Sequence, residues 1–168
     1  MSAPYLSAFE LLQKGDPESI ARGLAWLREY SAARPTDLQA RFEYAGAFDF
    51  LGREAEALPL YEDILSCGFK NLPPEDQPKI FVQLGSTLRN LHRFEESRAV
   101  LQDGLYHFPT SGALKAFLAL TNYSAGRPDT ALAAVFDLLL STSPDPSIRA
   151  YARPLRRYSQ NLTPYLKT

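Results

Sequence analysis

Residues 81–109 read FVQLGSTLRNLHRFEESRAVLQDGLYHFP. Large apolar residues stand at Phe81, Leu84 and Leu88, with Gly85 beside Leu84. A turn at His92 follows, then Phe94, the small Ser97, Leu101, the small Gly104 and a closing Pro109. Apolar residues three and four apart on both sides of one turn describe two amphipathic helices. Small residues on the facing surfaces describe a crossing at which one helix nests in the groove of the other.

The pattern recurs. Gly52, His92 and Gly126 each sit at a turn between two helical stretches, at intervals of 92 − 52 = 40 and 126 − 92 = 34 residues. The spelling and the second interval resemble the tetratricopeptide repeat (TPR). The first interval is six residues longer. The surplus falls around Phe69–Pro74, which carries Pro73 and Pro74 without apolar periodicity, so a lengthened loop is predicted there.

Working outward, the second pair is spelled by Tyr44, Ala45, Phe48 and Leu51, then Ala57, Leu60, Tyr61 and Ile64. Pro59 falls inside its second helix and predicts a kink on the convex side. The fourth pair has Leu118, Ala119, then Ala131, Val135 and Leu138. The first pair is spelled more loosely, with Tyr5, Leu6, Phe9 and Leu12 before Gly15, and Ile20, Leu24, Leu27 and Tyr30 after Pro17. A last helix, about 146–161, carries Ile148, Tyr151, Leu155, Tyr158 and Leu162 as one stripe, which predicts a cap over the exposed end of the last repeat. Pro154 predicts a break in it near Tyr151.

The expected fold class is all-α: nine helices and no strands. The resemblance implies a TPR-like right-handed α-solenoid of four antiparallel helix pairs, at about 3–34, 37–68, 75–108 and 110–143, plus the C-terminal capping helix. It forms a single TPR-like domain over 1–168. The insertion near Pro73 and the extra C-terminal helix are similar to the bacterial group-5-type TPR proteins.

Composition fits this reading. Of 168 residues, 45% are apolar and 22% charged, ordinary for a globular chain. No apolar run approaches the roughly 18 residues needed to span a bilayer, so no membrane role is expected. The first ten residues lack a basic start followed by an apolar stretch, which argues against a secretory signal. Cys67 is the sole cysteine, which excludes an internal disulfide and makes a reducing cytoplasm the simplest location. Net charge is −1, without a pull toward nucleic acid. The charge is polarised: residues 1–65 sum to 6 − 11 = −5 and residues 143–168 to 5 − 1 = +4. Solvated surface, a polarised binding face and head-to-tail self-assembly are all compatible with that split, so a homodimer stays open.

Little in the chain predicts catalysis. His92 and His107 form no metal-binding spacing, Cys67 has no visible partner, and no phosphate-binding glycine loop exists. The expectation is a non-enzymatic protein with no cofactor and no metal. The resemblance implies instead a protein–protein interaction module, a scaffold or adaptor, that binds a peptide or helix on a concave surface lined by the first helix of each pair. The implied lining is Phe42, Asp49 and Phe50, then Val82, Ser86, Arg89 and Asn90, then Leu120 and Tyr123. Phe42 and Phe50 packed against the first pair is the competing reading. The carboxylate clamp of chaperone-tail adaptors is absent: Phe42, Gly46, Gln83, Ala113 and Phe117 stand where its groups would be. Arg149, Arg153 and Arg156 share one face of the last helix and form a candidate contact for an acidic peptide or an anion. A small anionic ligand held there, with an enzymatic role, is the different-class alternative.

Overall fold

The computed structural model describes residues 5–162. The expected helix start at Ala3 and the ends of the expected 1–168 domain lie outside that range. Ten α-helices follow one another, and no strand occurs among the described residues. They are α1 (Leu6–Gln13), α2 (Pro17–Ala32), α3 (Leu38–Phe50), α4 (Glu54–Ser66), α5 (Gln77–Asn90), α6 (Phe94–His107), α7 (Gly112–Ser124), α8 (Pro128–Thr142), α9 (Pro146–Ala150) and α10 (Ala152–Ser159). Neighbours pack as α1–α2, α3–α4, α5–α6 and α7–α8, and each pair stacks on the next. α5 also meets α3 and α7, with no comparable packing of α4 on α6 or α6 on α8. The first helices of the pairs therefore lie on the inner side of the stack. This is a helical-repeat solenoid.

The last three pairs turn on the same backbone device. At the end of α3, the Gly52 N–H donates to the Asp49 carbonyl and the Arg53 N–H to the Phe48 carbonyl. His92 and Arg93 repeat this on Arg89 and Leu88, and Gly126 and Arg127 on Tyr123 and Asn122. The pattern satisfies the last carbonyls of a helix and requires a left-handed residue at its centre. Gly52, His92 and Gly126 have φ of 68°, 60° and 74°. His92 is the one non-glycine with positive φ among the described residues. The arginine after the turn then starts the next helix. Arg53 pairs with Glu56 and Arg93 with Glu96. Arg127, which has no acid three residues on, reaches back to Glu95 of the preceding repeat at 2.6 Å.

The crossing of each of the last three pairs is made by two small residues 12 apart: Ala45 and Ala57 (57 − 45 = 12), Gly85 and Ser97 (97 − 85 = 12), Ala119 and Ala131 (131 − 119 = 12). All are buried. A Cβ on Gly85 would stand 2.6 Å from Leu101 Cγ, so the glycine is what lets Leu101 lie against α5. A Cβ on Gly104 would meet Phe81 at 2.7 Å. Ser97 adds direction: its hydroxyl donates to the Gly85 carbonyl at 2.7 Å and lies 3.0 Å from the Thr121 hydroxyl, which ties α6 to α5 and α7. Around these crossings Tyr61, Ile64, Ile80, Phe81, Leu84, Leu101 and Leu114 form the continuous core.

Two expectations need correction, and a third is filled in. The lengthened loop is present, and it also serves the core. Phe69–Asn71 form a 3₁₀ turn, Phe69 packs against Phe81 and Phe108 with ring centroids 5.0 and 5.9 Å apart, and Leu72 is buried in the core. Two isolated apolar residues carry no periodicity, which hid them. The count is ten helices where nine are expected, because the terminal helix is two pieces meeting at Tyr151. Pro154 causes this: it has no N–H for the Ala150 carbonyl and its ring crowds that carbonyl. The stripe of that helix also differs. Tyr151 and Tyr158 are exposed, and Ala152, Leu155 and Ser159 form the inner face. Pro59, by contrast, leaves α4 unbroken, since Pro59 and Ala55 both face solvent and the freed carbonyl can meet water.

Gly85→Ala should destabilise the fold by about 1–3 kcal/mol through strain at Leu101. His92→Gly should stabilise it by about 0.5–1 kcal/mol by relieving the left-handed conformation. Urea unfolding followed by circular dichroism measures both.

Candidate functional site

The inner side of the stack holds a hollow of about 420 Å³. α1 contributes Phe9 to it; α3 contributes Phe42, Glu43, Gly46, Asp49 and Phe50; α5 contributes Gln83, Ser86 and Asn90. These positions follow from helix periodicity. The α3 residues at 42, 46, 49 and 50, and the α5 residues at 83, 86 and 90, each share one helical face. The opposite faces carry the core, so the hollow-lining side chains are those the stack leaves over.

Its polar groups are unevenly satisfied. Asp49 accepts one hydrogen bond, from the Thr87 hydroxyl at 3.2 Å. Burial pushes the Asp49 carboxyl up, the Thr87 hydrogen bond opposes this, and the Glu54 charge adds to it. Burial likewise pushes Glu43 up, against a 2.7 Å hydrogen bond from the Gln39 amide. Among the described residues Lys79 is the cation that acts on Glu43, and it is already bound to Asp76 at 2.6 Å. The Tyr61 hydroxyl is wholly buried and has no hydrogen-bond partner among the described residues. Burial and the nearby Asp49 and Glu43 charges push its pKa up. It lies 3.8 Å from where a Cβ on Gly46 would stand.

Gly46 is unlike the other glycines inside the long helices. A Cβ on Gly23, Gly85 or Gly104 would approach a neighbour to 2.9 Å or closer, so packing explains those three. A Cβ on Gly46 would meet nothing closer than 3.8 Å. A mid-helix glycine destabilises by roughly 0.5–1 kcal/mol relative to alanine. Here no steric need offsets that penalty. The gap it leaves opens into the hollow, between the Tyr61 hydroxyl and the Phe9 ring.

The sequence-derived groove residues do not form one continuous site. Asp49, Phe50, Ser86 and Asn90 come together in the hollow. Phe42 reaches its floor but is only 7% exposed, its ring 6.0 Å from Tyr61, so it is core. Phe50 meets Phe9 edge-on at 6.3 Å yet stays 54% exposed. Burial against the first pair is therefore not its state. Val82 packs on the core. Arg89 reaches α7, its Nε donating to the Ser124 hydroxyl at 2.8 Å, while its Nη1 donates to the Asn90 amide oxygen at the rim of the hollow at 3.4 Å. Leu120 and Tyr123 line a separate apolar groove of about 550 Å³ between α7 and α8, with Leu132 and Val135. α10 packs on α8 as a cap, and among the described residues this groove stays uncovered beside it. The arginine face is split by the break at Tyr151. Arg149 reaches the Ser143 carbonyl, Arg153 is exposed, and Arg156 lies beside Lys115 and Asp137 at another hollow.

Sequence reasoning missed Phe9 and Glu43 as parts of the inner site. Gly46 was legible as a helix glycine, but only the coordinates show that packing does not require it. A hollow of about 710 Å³ between α2 and the α3–α4 pair is lined mainly by apolar groups, with Arg53 and Glu56 bound to each other and Arg28 and Tyr44 as its other polar side chains. Among the described residues no cluster of His, Cys, Asp and Glu could hold a metal ion, and no helix is long and apolar enough to cross a membrane.

Residues 38–162 match the family profile described as Tetratrico peptide repeat. No curated protein matches the chain.

Gly46→Ala should raise stability by about 0.5–1 kcal/mol, read as a higher urea midpoint with an unchanged slope. The ionised Asp49 carboxylate opposes folding fully above its raised folded-state pKa. That opposition fades as pH falls toward the ordinary value of 3.8, where the unfolded state also takes up the proton. Asp49→Asn should therefore raise the thermal midpoint at about pH 7, with the advantage over the parent shrinking on acidification.

Proposed function

This chain belongs to the tetratricopeptide repeat family, and on that premise we propose that it is an adaptor whose inner hollow between α1, α3 and α5 grips a peptide segment of a partner protein. Repeats of this family are protein–protein interaction modules. The observation that carries the finer reading is the hollow itself. It combines the half-exposed Phe50 beside Phe9, the strained carboxylate of Asp49, the side chains of Ser86 and Asn90, and a glycine floor that packing does not demand. Aromatic walls with a few convergent polar groups are what peptide and ligand sites share.

The mechanism is complementarity on a preformed surface, with no covalent step. The hollow is built from three helices, each fixed by its own core face. The partner alone then carries the ordering entropy.

A random peptide library displayed on phage and selected against the protein tests this. Selected peptides should bind the parent, and Ser86→Trp, which places bulk on the α5 wall, should weaken them about tenfold or more. Pro59→Ala on the outer surface should leave binding unchanged. Peptides that bind Ser86→Trp as well as the parent would remove the inner hollow from the account.

A further inference from the structure

We infer that the inner hollow recognises a cationic side chain of the partner, arginine above all, with Asp49 as its counter-charge. The inference rests on the peptide-binding reading above and adds the chemistry of the residue gripped.

Charge comes first. The ion pairs on this half of the molecule are closed: Arg41 holds Asp63, Arg53 holds Glu56, and Lys79 holds Asp76. Asp49 stands outside that scheme. Among the described residues no cation pairs with it, its one hydrogen bond comes from a neutral hydroxyl, and its charged neighbour is Glu54. Glu43 adds a second carboxylate to the same hollow. A half-buried anion without a cation is an unfavourable arrangement in a folded chain, and an incoming cation relieves it.

Shape and polarity agree with charge. Phe9 and Phe50 wall the hollow, and aromatic faces attract guanidinium and cover its aliphatic stem. The planar fork of arginine can serve a carboxylate and a neighbouring amide oxygen together, and Gln83 stands on the α5 wall, whereas the Asn90 amide already accepts from Arg89 at 3.4 Å and donates to Glu54 at 3.0 Å. An independent feature points the same way. Gly46 lines the hollow, and the missing Cβ there leaves room on its floor for an entering group.

The test uses two probes that differ in charge and hardly in shape: N-acetyl-arginine methylamide and its neutral citrulline analogue. Each is titrated into the ¹⁵N-labelled full chain and followed by amide chemical shifts. The arginine probe should move the amides of Gly46, Asp49, Phe50, Ser86 and Asn90 saturably, and the citrulline probe should bind about tenfold more weakly. Asp49→Asn should abolish that preference while keeping the dispersed spectrum of a folded chain. Equal binding of both probes, or an arginine preference that survives Asp49→Asn, would overturn the cation assignment. Either result leaves peptide binding to the hollow standing, because Ser86→Trp tests that separately with selected peptides.

Discussion

Two helix backbones approach closely only where neither carries a large side chain at the crossing. That constraint is met three times at the same 12-residue separation, by Ala45 with Ala57, Gly85 with Ser97, and Ala119 with Ala131. Close approach lets Leu101 seat on Gly85 and Phe81 on Gly104, and dense packing in turn fixes the angle between pairs. The stack, its curvature and the hollow on its inner side all follow from that geometry. In the central repeat a hydrogen bond reinforces the crossing, since the Ser97 hydroxyl binds the Gly85 carbonyl that the missing side chain leaves reachable.

Glycine serves two opposite purposes in this chain. At 23, 85 and 104 it removes a clash, and the tighter helix packing that results outweighs the helix penalty. At 46 no clash is removed, so the penalty stands uncompensated within the folded chain. The same reasoning applies to Asp49, whose burial without a cation opposes folding. Two unfavourable choices within one turn of α3 mark that turn as a place where something other than stability decided the residues. Sites for binding are where local rules are broken without local gain.

The two ends of the solenoid differ in how they are finished. At the front, α1 packs through Ala8 and Leu12 onto α2, and Gly23 admits both. At the back, Pro154 breaks the terminal helix, and α10 packs chiefly on α8. The groove between α7 and α8, lined by Leu120, Tyr123, Leu132 and Val135, keeps the apolar character of an internal repeat surface. A periodic sequence writes each repeat as if another followed, and the broken cap does not cancel that.

Periodicity made the helices, turns and crossings readable from the chain. Phe81, Gly85, Leu101 and Gly104 announced a nested pair, and the left-handed turns fell at Gly52, His92 and Gly126, because these are local demands answered by local residue types. The split of the expected inner surface was not readable. Whether Arg89 reaches Ser124, whether Phe50 stays open, and whether Val82 joins the core depend on residues from other repeats, far off along the chain. Phe69 and Leu72 plug the core from a loop for the same reason. The sequence by itself determined a stack of paired helices. Only the tertiary structure decided which leftover side chains meet in one hollow, because distances between successive repeats are set by packing and not by spacing along the chain.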